Sequence, residues 1–334
     1  VTGIFKQKTS SNILLLLVYG LILKFNCFLH PAGPIQQPED HFLYNWLIEG
    51  LKPLHIPAVL YVLLTFLLLY GQALLFNRIC NDQKLLPRPN YLAAMAHMLT
   101  TSLFVEWNYF SAPLLANTIL IWTFYRMTTL PTIQKPAAAI FSIGVQIGIV
   151  TLLYRPAVVF VLLILLALFI MRPFRLREWA INMLGITMPY YFLALVLYLG
   201  NNWDWNKLKP SFSIGLPAIP SSVYTTISIT LLIIPFMIGG YYVQANLNKM
   251  YIHVRKSWSL LLLYLIIAML IIMADGGNNY ISWMLCSVPI TAFHAAGYFY
   301  LPSRRLASII HWILFGYAIY LNYMVANGLV IISL

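Results

Sequence analysis

The chain has 334 residues, of which 61% are hydrophobic and 8% charged, and its mean hydropathy is +0.81. A soluble domain is about a quarter charged and about half apolar, so this composition excludes an ordinary soluble enzyme and leaves no soluble domain of useful size. The formal net charge of +12 does not point to nucleic acid: a nucleic-acid reader gathers Lys and Arg on one face, and here they occur in twos and threes at the boundaries of apolar runs. The composition predicts an all-α, polytopic transmembrane bundle, one integral membrane domain over 1–334, with membrane lipids and no nucleic acid as its partners.

A helix needs about 20 residues to cross the hydrocarbon core. That ruler gives about eleven candidate spans, near 11–29, 54–76, 91–109, 112–130, 136–154, 156–172, 179–200, 222–243, 257–274, 280–300 and 306–325. Lys6 and Lys8 ahead of Ile13 to Leu23 resemble a signal peptide, but no small-x-small site lies between Lys24 and Pro31, so a retained first span is expected. The first outer loop, 30–53, carries Gln37-Pro38-Glu39-Asp40-His41 and then the stretch 42–51. Phe42, Leu43, Trp46, Leu47 and Leu51 recur there at helical spacing, which predicts a short interfacial helix with Asn45 and Glu49 toward water. Glu106 ends the third span. Pro131, Pro136 and Pro156 interrupt spans four to six, and at Tyr154-Arg155-Pro156 a tight turn and a broken helix both fit. Asp204 lies between Trp203 and Trp205, and Asp275-Gly276 reads as a turn after the ninth span.

The cations predict an orientation. With the N-terminus in the cytoplasm, fifteen of the twenty Lys and Arg residues fall inside: Lys6, Lys8, Arg78, Lys84, Arg88, Arg126, Lys135, Arg172, Arg175, Arg177, Lys249, Arg255, Lys256, Arg304 and Arg305. Lys24, Lys52, Arg155, Lys207 and Lys209 fall outside, with six of the eight carboxylates: Glu39, Asp40, Glu49, Glu106, Asp204 and Asp275.

Chemistry is therefore sought on the outer face. Asp40 has two readings, an ordinary helix N-cap or, with Glu39, a general base toward an acceptor hydroxyl. Glu106, Asp204 and Asp275 are candidate substrate-binding groups, each with a turn or surface account of its own. Arg155 runs against the cation bias, and a guanidinium suits phosphate; with Lys52, Lys207 and Lys209 it is the candidate ligand of a lipid-carrier phosphate, beside the alternative that it snorkels to headgroups. Glu39, Asp40, His41 and His55, with His30 near, are possible ligands of a divalent cation, but their spacing matches no metal motif and no metal is expected. His97, His294 and His311 fall at similar depth inside spans, where helix-to-helix hydrogen bonding or a proton relay are the two readings. Cys27, Cys80 and Cys286 are too widely spaced for a metal knuckle and are expected as free thiols. Phosphate-loop, dinucleotide, zinc-protease and nucleophile-elbow motifs are absent from the sequence.

Two stretches carry a resemblance: Gly3-Ile-Phe-Lys-Gln-Lys-Thr with Phe28-Leu-His-Pro31, and Arg172-Pro-Phe-Arg-Leu-Arg-Glu-Trp179 followed by Pro189-Tyr-Tyr-Phe192. They resemble an uncharacterised family of bacterial multi-pass inner-membrane proteins. In layout the chain is also similar to the C-type membrane glycosyltransferases, whose first outer loop holds an acidic residue beside an interfacial helix. That resemblance implies Asp40 or Glu39 as base, Arg155 with Lys52 as donor-phosphate ligands, and a polyprenyl-phosphate-linked sugar as donor. The chain departs from the pattern in lacking an outer Asp-x-Asp and a soluble C-terminal domain. Three function classes follow: an envelope glycan transferase or polymerase at the outer face of the inner membrane, a transporter or lipid flippase, and a non-enzymatic membrane subunit of an envelope machine. For the transporter class, Asn117, Gln146, Asn182 and the three histidines are the side chains expected to converge.

Overall fold

The computed structural model describes residues 2–209, 215, 222–275 and 280–326. In chain order the helices are α1 (Thr2–Phe5), α2 (Ser11–Leu23), α3 (Phe25–Leu29), α4 (Phe42–Leu51), α5 (Ala58–Asp82), α6 (Leu92–Thr100), α7 (Ala112–Thr129), α8 (Ala137–Leu153), α9 (Phe160–Met171), α10 (Leu176–Leu199), α11 (Val223–Asn246), α12 (Ile252–Ala274), α13 (Ser287–Tyr300) and α14 (Arg304–Ala326). Among the described residues there is no strand, and β-type pairing is limited to one bridge between Asp40 and Tyr154. Long apolar runs with few charges take this form because a helix satisfies its own backbone where water is excluded. Among the described residues, five helices are long and apolar enough to cross a membrane: Ala58–Asp82, Leu176–Leu199, Val223–Lys249, Ile252–Ala274 and Arg304–Val325.

Their burial sorts them. Of its most apolar stretch, α12 buries 61%, whereas α10 and α11 bury 22% each, so α12 is the central post and the other two present most of their apolar surface outward. The outward side chains of α10 include Leu184, Val196 and Leu199, and those of α11 include Ile233, Ile234 and Met237. Each peripheral helix is held through glycine. A Cβ on Gly144 of α8 would stand 2.5 Å from the Asn182 carbonyl oxygen of α10, and one on Gly148 would stand 2.5 Å from that of Ile186. Gly239 of α11 meets the Phe293 carbonyl of α13 closely enough that no side chain fits. Such backbone contact is what small residues provide in apolar bundles.

Two predicted spans are broken. The first does not run through 11–29: α2 stops at Leu23 and α3 restarts at Phe25. Lys24, between them, was expected in the outer medium and is instead 2% exposed. Its ammonium donates to the Thr101 carbonyl at 3.3 Å and to the Asn108 side-chain oxygen. The third span likewise stops at Thr100 and resumes only as a 3-10 turn over Val105–Asn108. Thr101 and Ser102 turn their hydroxyls back to the His97 and Met98 carbonyls, both at 2.8 Å. The carbonyls freed by the break are taken by side chains: Thr101 by Lys24, Ser102 by Asn322 at 3.3 Å, and Leu103 by Ser228 at 2.7 Å. Lys24 thus sits at the negative end of α6, where a cation is favoured.

A polar knot joins α5, α6, α7 and α13. Gln72 donates to the Leu114 carbonyl at 3.0 Å and the Thr118 hydroxyl at 2.7 Å, and its oxygen accepts from Asn117 at 3.1 Å and meets His97 at 3.3 Å. Asn117 also reaches Ser287 at 3.2 Å, and Thr291 bonds Thr100 at 3.1 Å. His294 bonds the Leu232 carbonyl of α11 at 2.8 Å, while His311 stacks on Tyr19 at 5.7 Å. Of the side chains a transporter would gather, Asn117 and His97 are linked through the Gln72 side-chain oxygen; Gln146 pairs with Thr123 at 3.0 Å and Asn182 lies buried where α10 meets Gly144.

Candidate functional site

Loop 30–41 is tied down before α4 begins. The Ile35 N–H donates to the Phe110 carbonyl at 2.9 Å, and the Tyr44 hydroxyl donates to the carbonyls of Ile35 at 2.7 Å and Phe110 at 3.1 Å. The His41 N–H then donates to the Leu153 carbonyl and the Arg155 N–H to that of Glu39, both at 3.0 Å. The pairing follows from the chain at the α8 terminus. Pro156 has no N–H with which to continue the α8 ladder, Tyr154 leaves the helix extended at φ −141° and ψ 114°, and its backbone meets the loop. The choice left open at Tyr154-Arg155-Pro156 is thus resolved as an extended residue followed by a 3-10 turn, Arg155–Val159.

The interfacial helix occupies the predicted range, Phe42–Leu51, but two details differ. Its N-cap is His41, without a side-chain cap bond; Asp40, the expected cap, accepts the Gln37 N–H on Oδ2 at 2.7 Å instead. The buried face is that of Tyr44 and Ile48, and Trp46 is 62% exposed. Tyr44 sets this rotation because its hydroxyl partners and its stacking on Phe110, at 6.2 Å, lie inward. Asn45, Trp46 and Glu49 therefore border a cavity of about 400 Å³, completed by Phe42, Arg155, Asp204 and Lys207. The size is ordinary for a small-molecule site.

Behind Arg155 lies a group of carboxylates. Asp40 is 1% exposed and its Oδ1 has no hydrogen-bond partner among the described residues. Burial pushes its pKa up to about 7, with the charges of Glu39 and Asp275 adding to the rise against the Gln37 hydrogen bond and Arg155. Burial also raises Asp275 to about 6, opposed by the nearby Ser282 and Tyr154 hydroxyls and assisted by the charge of Glu39. His41, buried and facing the Arg155 charge, is lowered to about 4 and stays neutral at ordinary pH. A carboxyl titrating near neutrality is matched to proton transfer.

The sequence candidates therefore divide. Arg155 and Asp204 line the cavity; Glu39, Asp40 and Asp275 form the carboxylate group behind it. Lys52 is exposed in the turn Lys52–Leu54 and is not among the cavity walls, where Lys207 stands instead. Glu106 is buried elsewhere, with Tyr109 and Tyr280 as neighbours. Among the described residues no three His, Cys, Asp or Glu side chains gather in a metal-holding group, so Glu39, Asp40, His41, His55 and His30 do not make one. Trp46, Tyr154 and Ser282 were not among the sequence candidates: Trp46 was placed on the apolar face of the interfacial helix, and nothing local marks Tyr154 or Ser282. No family model, curated protein or solved structure matches the chain.

Proposed function

We propose that the chain is an eleven-span protein of the bacterial inner membrane with its N-terminus in the cytoplasm, and that the cavity beside Trp46 transfers sugars from polyprenyl-phosphate donors at the outer face. The observation that carries the reading is the meeting of two cations, Arg155 and Lys207, an exposed indole, Trp46, and hydrogen-bonding groups at one cavity, backed by a carboxyl poised near neutrality. Arg155 and Lys207 hold the donor phosphate. Trp46 offers its ring face to the sugar, and Asn45, Glu49 and Asp204 offer partners to hydroxyls. Asp40, which lies behind the Arg155 wall and does not line the cavity, takes the acceptor hydroxyl proton through one intervening water, the oxygen forms the new bond at the anomeric carbon, and the bond to phosphate breaks as the lipid phosphate leaves with the electron pair.

Cation placement supports the orientation, since fifteen of twenty Lys and Arg residues fall on the side assigned to the cytoplasm. The transport reading draws less support, because Gln72, Asn117, His97 and Ser287 spend hydrogen bonds on one another. The test is complementation of a deletion strain, scored on envelope glycan. Asp40→Asn and Arg155→Gln are expected to abolish rescue at normal protein level, and Lys52→Gln to preserve it. Full rescue by both of the first two removes the glycan-transfer assignment.

A further inference from the structure

At the other end of α13 lies a cavity that the glycan reading does not use. It measures about 350 Å³ and is lined by Thr2, Gly3, Lys6, Gln7, Arg88, Arg304 and Ala307. Its three cations come from three separate stretches of chain: the residues after α1, the loop between α5 and α6, and the first residue of α14. These stretches are fastened to each other. The Tyr91 N–H donates to the Phe5 carbonyl at 2.7 Å, and the Lys6 ammonium to that of Phe299 at 3.3 Å while lying 5.9 Å from the Phe299 ring centre. Arg88 is fixed by its neighbour: Asn90 donates to the Arg88 carbonyl at 2.7 Å, and the Asn90 N–H is held by Asn81 at 3.1 Å.

Among the described residues, no Asp or Glu pairs with these charges. All eight Asp and Glu residues lie within the described stretches, and ion pairs such as Arg78–Asp82, Arg172–Glu178 and Arg175–Glu178 include none of the three cavity cations. Burial lowers the Lys6 pKa, and the like charge of Arg304 lowers it further. Cations that repel across a preformed cavity gain most from an anion shared among them, and two guanidinium forks match the paired oxygens of a phosphate.

We propose that the Lys6–Arg88–Arg304 cavity is a binding site for a phosphate group, carried either by an anionic lipid headgroup or by a soluble phosphoester. The walls suit either source: α14 is an apolar helix long enough to cross a membrane, and the exposed Gly3 and Gln7 leave the rim open to solvent-borne groups.

The test uses the full chain purified in detergent, with native mass spectrometry after incubation with phosphatidylglycerol or phosphatidylcholine, and thermal shift with glycerol 3-phosphate. The double variant Arg88→Gln/Arg304→Gln removes the two exposed guanidinium groups, and Arg255→Gln/Lys256→Gln is the control for general basicity. Wild type and control are expected to retain about ten-fold more phosphatidylglycerol than the double variant, with little phosphatidylcholine in any; this result assigns the phosphate to lipid. Stabilisation of wild type and control by glycerol 3-phosphate, absent in the double variant and without lipid selectivity, assigns it to a soluble phosphoester. Equal binding of both ligands by wild type and double variant, or an equal loss in the control, overturns the site.

Discussion

Asp40 and Tyr154 face each other across an antiparallel bridge, flanked by backbone bonds from His41 to Leu153 and from Arg155 to Glu39, both 3.0 Å. The bridge couples the loop before α4 to the junction between α8 and α9, so the carboxylate group and the Arg155 wall of the cavity form one unit. It also explains why Asp40 is buried: the side chain is carried inward by a paired backbone rather than by any attraction of its own.

That burial predicts a pH dependence of stability. Folding raises Asp40 from 3.8 to about 7 and Asp275 from 3.8 to about 6. Between pH about 4 and 7 the folded chain therefore retains protons the unfolded chain has released, so this stability is complete below pH about 4 and lost as pH rises through 6 to 7. The melting temperature of the purified protein is expected to fall from pH 5 to pH 8. Asp40→Asn should flatten the fall, with about 2–4 °C returned at pH 8 per kcal/mol recovered. Identical slopes in wild type and variant would rule out the buried carboxyls as the cause.

Lys24 holds the two broken helices together, and its removal should be felt as a packing defect. Lys24→Ala leaves the Thr101 carbonyl and the Asn108 oxygen without their donor inside the bundle, at a cost of about 1–3 kcal/mol. Lys24→Met fills the space but leaves the same acceptors bare, so it should recover only part of the loss. Melting curves of both variants check this; a Lys24→Met protein more stable than wild type would mean that burying the charge outweighs the bonds it makes.

The contrast between α4 and Lys24 shows what the sequence could carry. The bounds of α4 were legible because apolar residues recur at helical spacing between Asp40 and Pro53, a local signal. Its rotation was not, because the inward pull on Tyr44 comes from Ile35 and Phe110, and Phe110 is remote in sequence. The break in the third span was hidden because Thr100, Thr101 and Ser102 are near neutral in hydropathy, and their effect is to bond back to the preceding turn. Lys24 read as a loop cation for the same reason: its partners are the Thr101 carbonyl, exposed by a break in another helix, and the Asn108 side-chain oxygen, both remote in sequence. The site was half legible. Charge placement put Asp40, Arg155, Asp204 and Asp275 on one side together with Glu106 and Lys52, but it is the bridge at Tyr154, remote in sequence from Asp40, that brings Arg155 beside Asp40.

Close contact between α8 and α10 gives a sharper test of the packing. A Cβ at Gly144 or Gly148 would meet α10 backbone oxygen at 2.5 Å, and backbone cannot swing aside as a side-chain end can. Gly144→Val is expected to destabilise by about 1–3 kcal/mol by forcing the helices apart. Gly316→Val on α14, where nothing stands within 4 Å of the added atom, is the matched control and should melt near wild type. Equal losses in the two would show that helix propensity, not contact, is responsible.

Arg172 was counted among the cytoplasmic cations that set orientation, and its geometry predicts a different consequence of removing it. Its Nε donates to Glu178 at 3.1 Å while one terminal nitrogen reaches the carbonyls of Leu130 at 3.0 Å and Ile133 at 3.3 Å. One guanidinium thus ties the turn after α7 to the start of α10. Arg172→Gln loses charge-assisted bonds and leaves the Glu178 carboxylate, buried, with only the longer 4.0 Å contact to Arg175. The loss expected is about 1–3 kcal/mol, whereas Arg177→Gln, which removes an exposed charge from the same loop, should cost under about 0.5 kcal/mol. Proteolysis at residues 130–136 should accelerate in Arg172→Gln alone. Equal behaviour of the two variants would return Arg172 to a role in orientation only.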